Sequence, residues 1–353
     1  MKNDMKPVCE LLLMMLSTSC TSYYYVVTEF GADLSVERTV YSSSEDGGNG
    51  FPAFASGSGW RHSRLEEPFE IDFYDERIVM TEMSVKQCDN IGKLKYLIGK
   101  GHEDDPLFSP VEKATGRFRW FYTYNDYSAR FRSLEGQLPL PLDTYLHESS
   151  RELFFRGGKV PAAWNGVEMY LLLDDMNRRL AHWFSDAVYI VMCDAYEPYC
   201  TAVQRAFMDS SRKDFMERTQ AEIMFVMEPE EFGQRMDGLD PDMGLAAVYK
   251  QNAAMIDASY EEQTKVLDYF ASSFIYSVDM SGDYFEGNAT DFIDGLPVWK
   301  VDAYRLLAGD LVLEATFRKV NLWAFILTFA VIAAILQAFA KLFDRISRGM
   351  DGK

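Results

Sequence analysis

Trp120, Tyr122, Tyr124 and Tyr127 crowd a single stretch, residues 117–134 (RFRWFYTYNDYSARFRSL), and rings so placed can stack a sugar or a lipid headgroup. On one continuous strand, Phe118, Trp120, Tyr122 and Tyr124 share a face, with Arg117, Arg119, Phe121 and Thr123 on the other. Aromatics at period two predict a strand packed on a core, with a ligand platform as the alternative use. Cys193 and Cys200, in CDAYEPYC, could close a small disulfide loop in an oxidising compartment. As a metal or redox pair they lack clustered histidines. The four histidines, at 62, 102, 147 and 182, lie far apart. His102-Glu103-Asp104-Asp105-Pro106 reads as a solvated loop. Asp237-Gly-Leu-Asp240-Pro-Asp242 lacks the central Gly and distal Glu of a calcium loop and reads as a capped turn. HExxH, GxSxG and P-loop patterns are absent. No catalytic residue, metal ligand or cofactor is therefore expected.

These groups are positioned relative to an uncharged run, residues 322–340 (LWAFILTFAVIAAILQAFA). As a helix it covers roughly 30 Å, the thickness of a bilayer's hydrocarbon core. Trp323 falls where an interfacial aromatic belt would place it, and Lys341 can snorkel to headgroups. At the other end, Lys2 and Lys6 precede an apolar run, 11–16, and then Ser17-Thr18-Ser19-Cys20. That pattern predicts a secretory signal over 1–19. The small residues ending in Cys resemble a bacterial lipobox, so Cys20 is the expected lipidation site. Export leaves the residues after Ala340 in the cytoplasm, where Lys341, Arg345, Arg348 and Lys353 outnumber Asp344 and Asp351.

The net charge is −19. The first 19 residues are neutral (Lys2 and Lys6 against Asp4 and Glu10) and the tail is +2, which leaves −21 between them. Such a field disfavours nucleic acid and anionic lipid surfaces as ligands. Any small ligand should be neutral or amphipathic. Aromatics are 14% of the chain, enough for a sizeable core.

Runs 23–30 and 34–41 flank Gly-Ala-Asp as a hairpin, and 69–73 with 78–86 make a second pair. Residues 42–59 are Gly/Ser-rich and read as a loop. After Pro139-Leu-Pro141 the pattern turns helical. Asp143 can cap a helix through 155, and Asn165-Gly-Val-Glu168 has the form of a capping box. Met169, Leu172, Leu173, Met176, Leu180, Trp183, Phe184, Ala187 and Val191 then form one apolar stripe. Further helices fit 201–208, 211–227, 242–258 and 260–272, and strands fit 274–278, 296–301 and 311–317. The expected fold is α+β: an antiparallel β region split by a helical insertion, plus one C-terminal transmembrane helix. The parts are a signal peptide (1–19), an N-terminal β-rich part (20–138), a helical block (139–273), completing strands (274–319), the span (320–341) and a tail (342–353). The first and last strands are expected to end on one face as antiparallel neighbours, so that both anchors enter the same membrane, the inner one.

Two stretches carry a family likeness: CTSYYYVVTEFGADLSVERTVY, and residues 274–323, where strand, Ser281-Gly282, Asn288-Ala289, Trp299-Lys300-Val301 and strand lead into the span. Together they resemble the LppM-like bacterial envelope lipoproteins. The middle, from RFRWFYTYNDY to PLPLDTYL, resembles Bacteroides-type envelope lipoproteins of the same layout. The resemblance implies an envelope-anchored β domain that handles lipid or glycolipid, in a Bacteroidota-type cell envelope with a periplasmic ectodomain. It carries over no catalytic residue. A non-enzymatic binding or envelope-organising module is the leading expectation, and a subunit of a membrane-associated secretion or signalling complex is the alternative.

Overall fold

A computed structural model describes residues 22–43, 55, 59–73, 76–94, 107, 109–137, 139–155, 166–219, 224 and 227–350. Cys20, residues 44–54 of the Gly/Ser stretch, the His102–Pro106 cluster and Asn165 lie outside them. Among the described residues eleven strands build two sheets. The larger contains β1 (Ser22–Phe30), β2 (Val36–Ser42), β3 (Arg61–Phe73), β4 (Glu76–Cys88), β7 (Ser272–Asp279), β9 (Asp291–Ile293) and β10 (Leu296–Asp302), in the order β3-β4-β2-β1-β7-β10-β9. The smaller contains β5 (Val111–Phe118), β6 (Tyr122–Phe131), β8 (Asp283–Gly287) and β11 (Leu311–Val320), in the order β5-β6-β11-β8. Between β6 and β7 come helices α1 (Glu148–Phe155), α2 (Gly166–Tyr196), α3 (Ala202–Arg218), α4 (Pro229–Asp237) and α5 (Leu245–Thr264); α6 (Ala303–Leu306) and α7 (Leu322–Met350) follow β10 and β11. The fold is α+β, its sheets split by a helical insertion and followed by one apolar helix.

The sheets stack because each strand alternates. Val26, Val40, Phe274, Tyr276, Val278, Trp299 and Val301 of the larger sheet share one core with Tyr127, Ala129, Phe131, Leu313, Ala315 and Phe317 of the smaller. The expected helical stripe joins this core from Met176 onward, through Leu180, Trp183, Phe184 and Ala187. Met169, Leu172 and Leu173 are only half-buried. One turn further along, α2 changes partners: Val188, Tyr189, Met192, Ala195 and Tyr196 centre a second core with α3, α4 and α5. The 31-residue α2 thus ties the helical block to the sheets.

Several expectations need correction. The expected break between 208 and 211 is absent: α3 runs unbroken from Ala202 to Arg218, opened by a capping box between Thr201 and Gln204. The expected break near Ser259 is absent, since α5 continues to Thr264 and kinks instead at Asn252. Asp143 lies in a short 3-10 turn, Leu142–Thr144, whose N-cap is Pro141. Asp237 does close a capped turn, accepting from the N–H groups of Leu245 and Ala246 at the start of α5.

The larger correction concerns chain direction. β1 and β7 pair in parallel, Ser22 opposite Ser272 and Glu29 opposite Asp279, within an otherwise antiparallel region. The last strand, β11, is in the other sheet and pairs with β6 and β8. Tyr276 packs on Phe131, and Asn125 Nδ2 donates to the Ser281 carbonyl at 2.7 Å. β7 therefore runs beside β6 toward the end of the domain from which α7 departs, and β1 runs the same way. Ser22 sits at the opposite pole, roughly 30 Å from the level of Ser281 at 3.3 Å per strand residue. The first strand's start and the last strand's end do not share a face.

Candidate functional site

The described residues place the aromatic stretch at the pole where α7 leaves the domain. It is not one strand. β5 ends at Phe118 and the chain reverses over Trp120 and Phe121, with Arg119 and Tyr122 exchanging both backbone hydrogen bonds at 2.7 and 3.1 Å. Neither residue is a turn former, and the reason lies two hundred residues away. Asn321, the single residue between β11 and α7, donates through Nδ2 to the carbonyls of Arg119 (2.9 Å) and Trp120 (3.3 Å). Its backbone N–H donates to the Phe121 carbonyl at 2.9 Å, and its Oδ1 accepts from Thr123 Oγ1 at 3.1 Å. Every carbonyl of the turn is taken. Asn321 is itself buried.

The first turns of α7 lie between the rings this hairpin presents. Phe118 stacks on Trp323 at 6.2 Å and Trp120 meets it edge-on at 5.3 Å. Phe121 and Tyr122 flank Phe325, at 4.5 and 6.1 Å. Trp120 Nε1 donates to Thr328 Oγ1 at 2.8 Å, which fixes the hairpin tip against the second turn of the helix. Within α7, Leu322–Lys341 is 20 residues long and, among the described residues, is the helix long and apolar enough to cross a membrane. Phe118 and Trp120 are exposed, which overturns their reading as core, because they project beyond the sheet onto α7.

The expected ligand surface divides by strand parity. Tyr122 and Tyr124 occupy the outer face of the smaller sheet, where they are half-buried and join Phe285 of β8. Arg318 lies over Phe285 at 4.3 Å and over Tyr122 at 5.2 Å, and Arg117 over Tyr124 at 5.8 Å. Arg318 has no ion pair among the described residues. Arg117 pairs with Asp126 at 2.6 Å; hydrogen bonds from Arg117 and then Thr316 hold that carboxyl below its ordinary value. Tyr127, three residues along, points inward and is 2% exposed. It cannot belong to a ligand surface. Burial first, and then the neighbouring Glu112, raise its phenol well above the ordinary value.

Tyr127 belongs instead to a polar pin between the sheets. Arg38 of β2 is wholly buried and grips Glu112 of β5 with both terminal nitrogens, at 2.9 and 2.6 Å. Arg38 Nε donates to Thr28 Oγ1 at 3.0 Å, and the Tyr127 hydroxyl donates to Glu112 Oε1 at 2.6 Å. Burial opposes the guanidinium's charge, but attraction to Glu112 outweighs it and raises the pKa above its ordinary value.

The segments behind the family likeness are also structural. Gly282 has φ +116° and its missing Cβ would lie 2.7 Å from the Arg318 backbone, so only glycine lets this turn approach β11. Asn288 accepts from Trp299 Nε1 at 2.9 Å and from the Glu314 N–H at 2.8 Å, joining one sheet to the other.

The cysteines Cys193 and Cys200 are both free. Helix α2 and the 3-10 turn Glu197–Tyr199 separate them by about 10 Å of helical rise, too far for the roughly 5.5 Å Cα spacing of a disulfide. His62 meets Ser84 at 2.8 Å and His182 is exposed. No family model, curated protein or solved structure matches the chain.

Proposed function

We propose that this protein is a membrane-anchored, non-enzymatic binding module of a bacterial cell envelope. It is held by α7 with its ectodomain in the periplasm, and its outer aromatic face takes a lipid or glycolipid headgroup. One observation carries the reading. The Tyr122, Tyr124, Phe285 and Arg318 surface is continuous with the start of the span, so a headgroup in the same bilayer reaches it without leaving the membrane. Rings and a guanidinium suit an amphipathic ligand with a polar head. The LppM-like resemblance points the same way.

Lipidation of Cys20 belongs to this reading, but not as a second anchor in the bilayer that α7 crosses. Cys20 is two peptide units from Ser22, a reach of about 7 Å against the roughly 30 Å that separates Ser22 from the level of Ser281. With the domain upright on α7, a lipid there does not return to the same bilayer. Anchoring rests on the helix.

Native mass spectrometry of the full chain extracted in mild detergent tests the binding. Wild type should carry lipid or glycolipid adducts that Tyr122→Ala/Tyr124→Ala/Arg318→Ala loses. Adducts that persist in the triple variant would remove this face from consideration. A stoichiometric protein partner in place of lipid would favour the complex-subunit alternative.

A further inference from the structure

We infer that the β5–β6 hairpin is a second membrane-inserted element, a wedge whose partner is the interfacial layer of the bilayer that α7 crosses. This rests on α7 being a span. Thr328 lies six residues into that span, about 9 Å below its start at the rise of an α-helix. Trp120 Nε1 bonds to Thr328, so its indole reaches that depth, while the backbone of the turn sits level with Asn321, where the span begins.

Backbone at the entry to the hydrocarbon survives only where its polar groups are satisfied without water. The tip meets this condition. Tyr122 N–H and Asn321 take the Arg119 carbonyl, and Asn321 also takes those of Trp120 and Phe121. Trp120 spends its indole N–H on the Thr328 hydroxyl oxygen, which accepts it. What the tip leaves exposed is apolar or aromatic: Phe118 is 59% and Trp120 46% exposed.

Charge agrees with the depth. The ectodomain is strongly acidic, yet Arg117, Arg318 and Lys319 lie on the strands leading to the tip and Arg119 opens the turn itself. Side chains of this length keep their heads at phosphate level while their stems lie along apolar surface. A hairpin and a helix joined by Asn321 enter the membrane as one unit. The ectodomain is thereby held in one posture instead of swivelling on a flexible stalk.

The test uses the full chain reconstituted in phosphatidylcholine vesicles whose acyl chains carry bromine near the interface. The quenched emission of Trp120 is obtained by difference from Trp120→Phe, and that of Trp323 from Trp323→Phe. Both components should be quenched, with Trp120 losing at least as large a share as Trp323. Quenching of Trp323 without Trp120 would refute the wedge while leaving the span in place. Quenching of neither would refute the span and the wedge with it. Should the Trp120→Phe difference be too small to resolve, a bimane label on a cysteine replacing Arg119 gives the same readout, and lack of quenching there overturns the wedge.

Discussion

Removing Arg38 alone should be far more damaging than removing Arg38 together with Glu112. Arg38 is wholly buried and the Glu112 side chain is 6% exposed, so neither charge has water to fall back on. Arg38→Met strands a carboxylate between the sheets with only the Tyr127 hydroxyl to answer it. Breaking one side of a buried pair costs about 3–5 kcal/mol, whereas replacing both sides with apolar groups of similar volume is often neutral. At about 2 °C per kcal/mol for a chain of this size, Arg38→Met and Glu112→Leu should each lower the melting temperature by roughly 6–10 °C. The double variant should recover most of that loss. Thermal unfolding of the full chain in mild detergent, followed by near-ultraviolet circular dichroism, reads the sandwich through Trp299 and Tyr276 at its centre. If the double variant is as unstable as the sum of the singles, the two residues are not a buried pair and the sheets are not pinned there. Single variants that melt with wild type would refute the burial itself.

Leu180→Asp should cost about 3–5 kcal/mol by burying an unpaired charge in the shared core, while half-buried Leu173→Asp should cost about 1–2; equal costs in urea titration would contradict the stripe's burial gradient. Gly282→Ala should destabilise by about 1–3 kcal/mol through its positive φ and its contact with the Arg318 backbone, and a silent substitution would mean the turn sits elsewhere. Burial raises the Cys193 thiol to about 12, so its alkylation by iodoacetamide at pH 8 should be on the order of a thousandfold slower in the folded chain than in denaturant. Because the unfolded thiol ionises first, the same group favours the folded state below about pH 8.5 and loses that contribution as pH rises toward 12. Equal labelling rates in the folded and denatured states would refute the buried thiol.

Patterns that depend on near neighbours were legible from the sequence. The β1–β2 hairpin, the β3–β4 pair and the α2 stripe follow from alternation and 3.6-residue spacing; all were expected near their true bounds except β3, which starts at Arg61, eight residues before the expected 69. The apolar helix declared itself by length. What was hidden depends on partners far along the chain. The turn at Trp120 and Phe121 carries no Gly or Asn because Asn321 supplies the bonds that such turns otherwise need, and a lone Asn before an apolar run gives no sign of that duty. Of the four aromatic ligand candidates, parity within β6 alone separates inward Tyr127 from outward Tyr122 and Tyr124; placing Trp120 requires knowing where the strand ends. β8 and β9 are short, polar edge strands, DYFEG and DFI, with no periodic signal to read. The parallel pairing of β1 with β7 leaves no local mark at all.

That pairing bears on how the chain acquires its shape. Tyr23 finds its partner Ser273 only after the whole helical block has been made. Contacts this remote in sequence close loops of high entropic cost and form late, whereas α3, α4 and α5 satisfy one another through near neighbours. The helical block can therefore organise while β1 and its hairpin partner wait with one strand edge open. Such an edge, rich in Tyr and Val, is a template for pairing with other chains until β7 arrives to cover it.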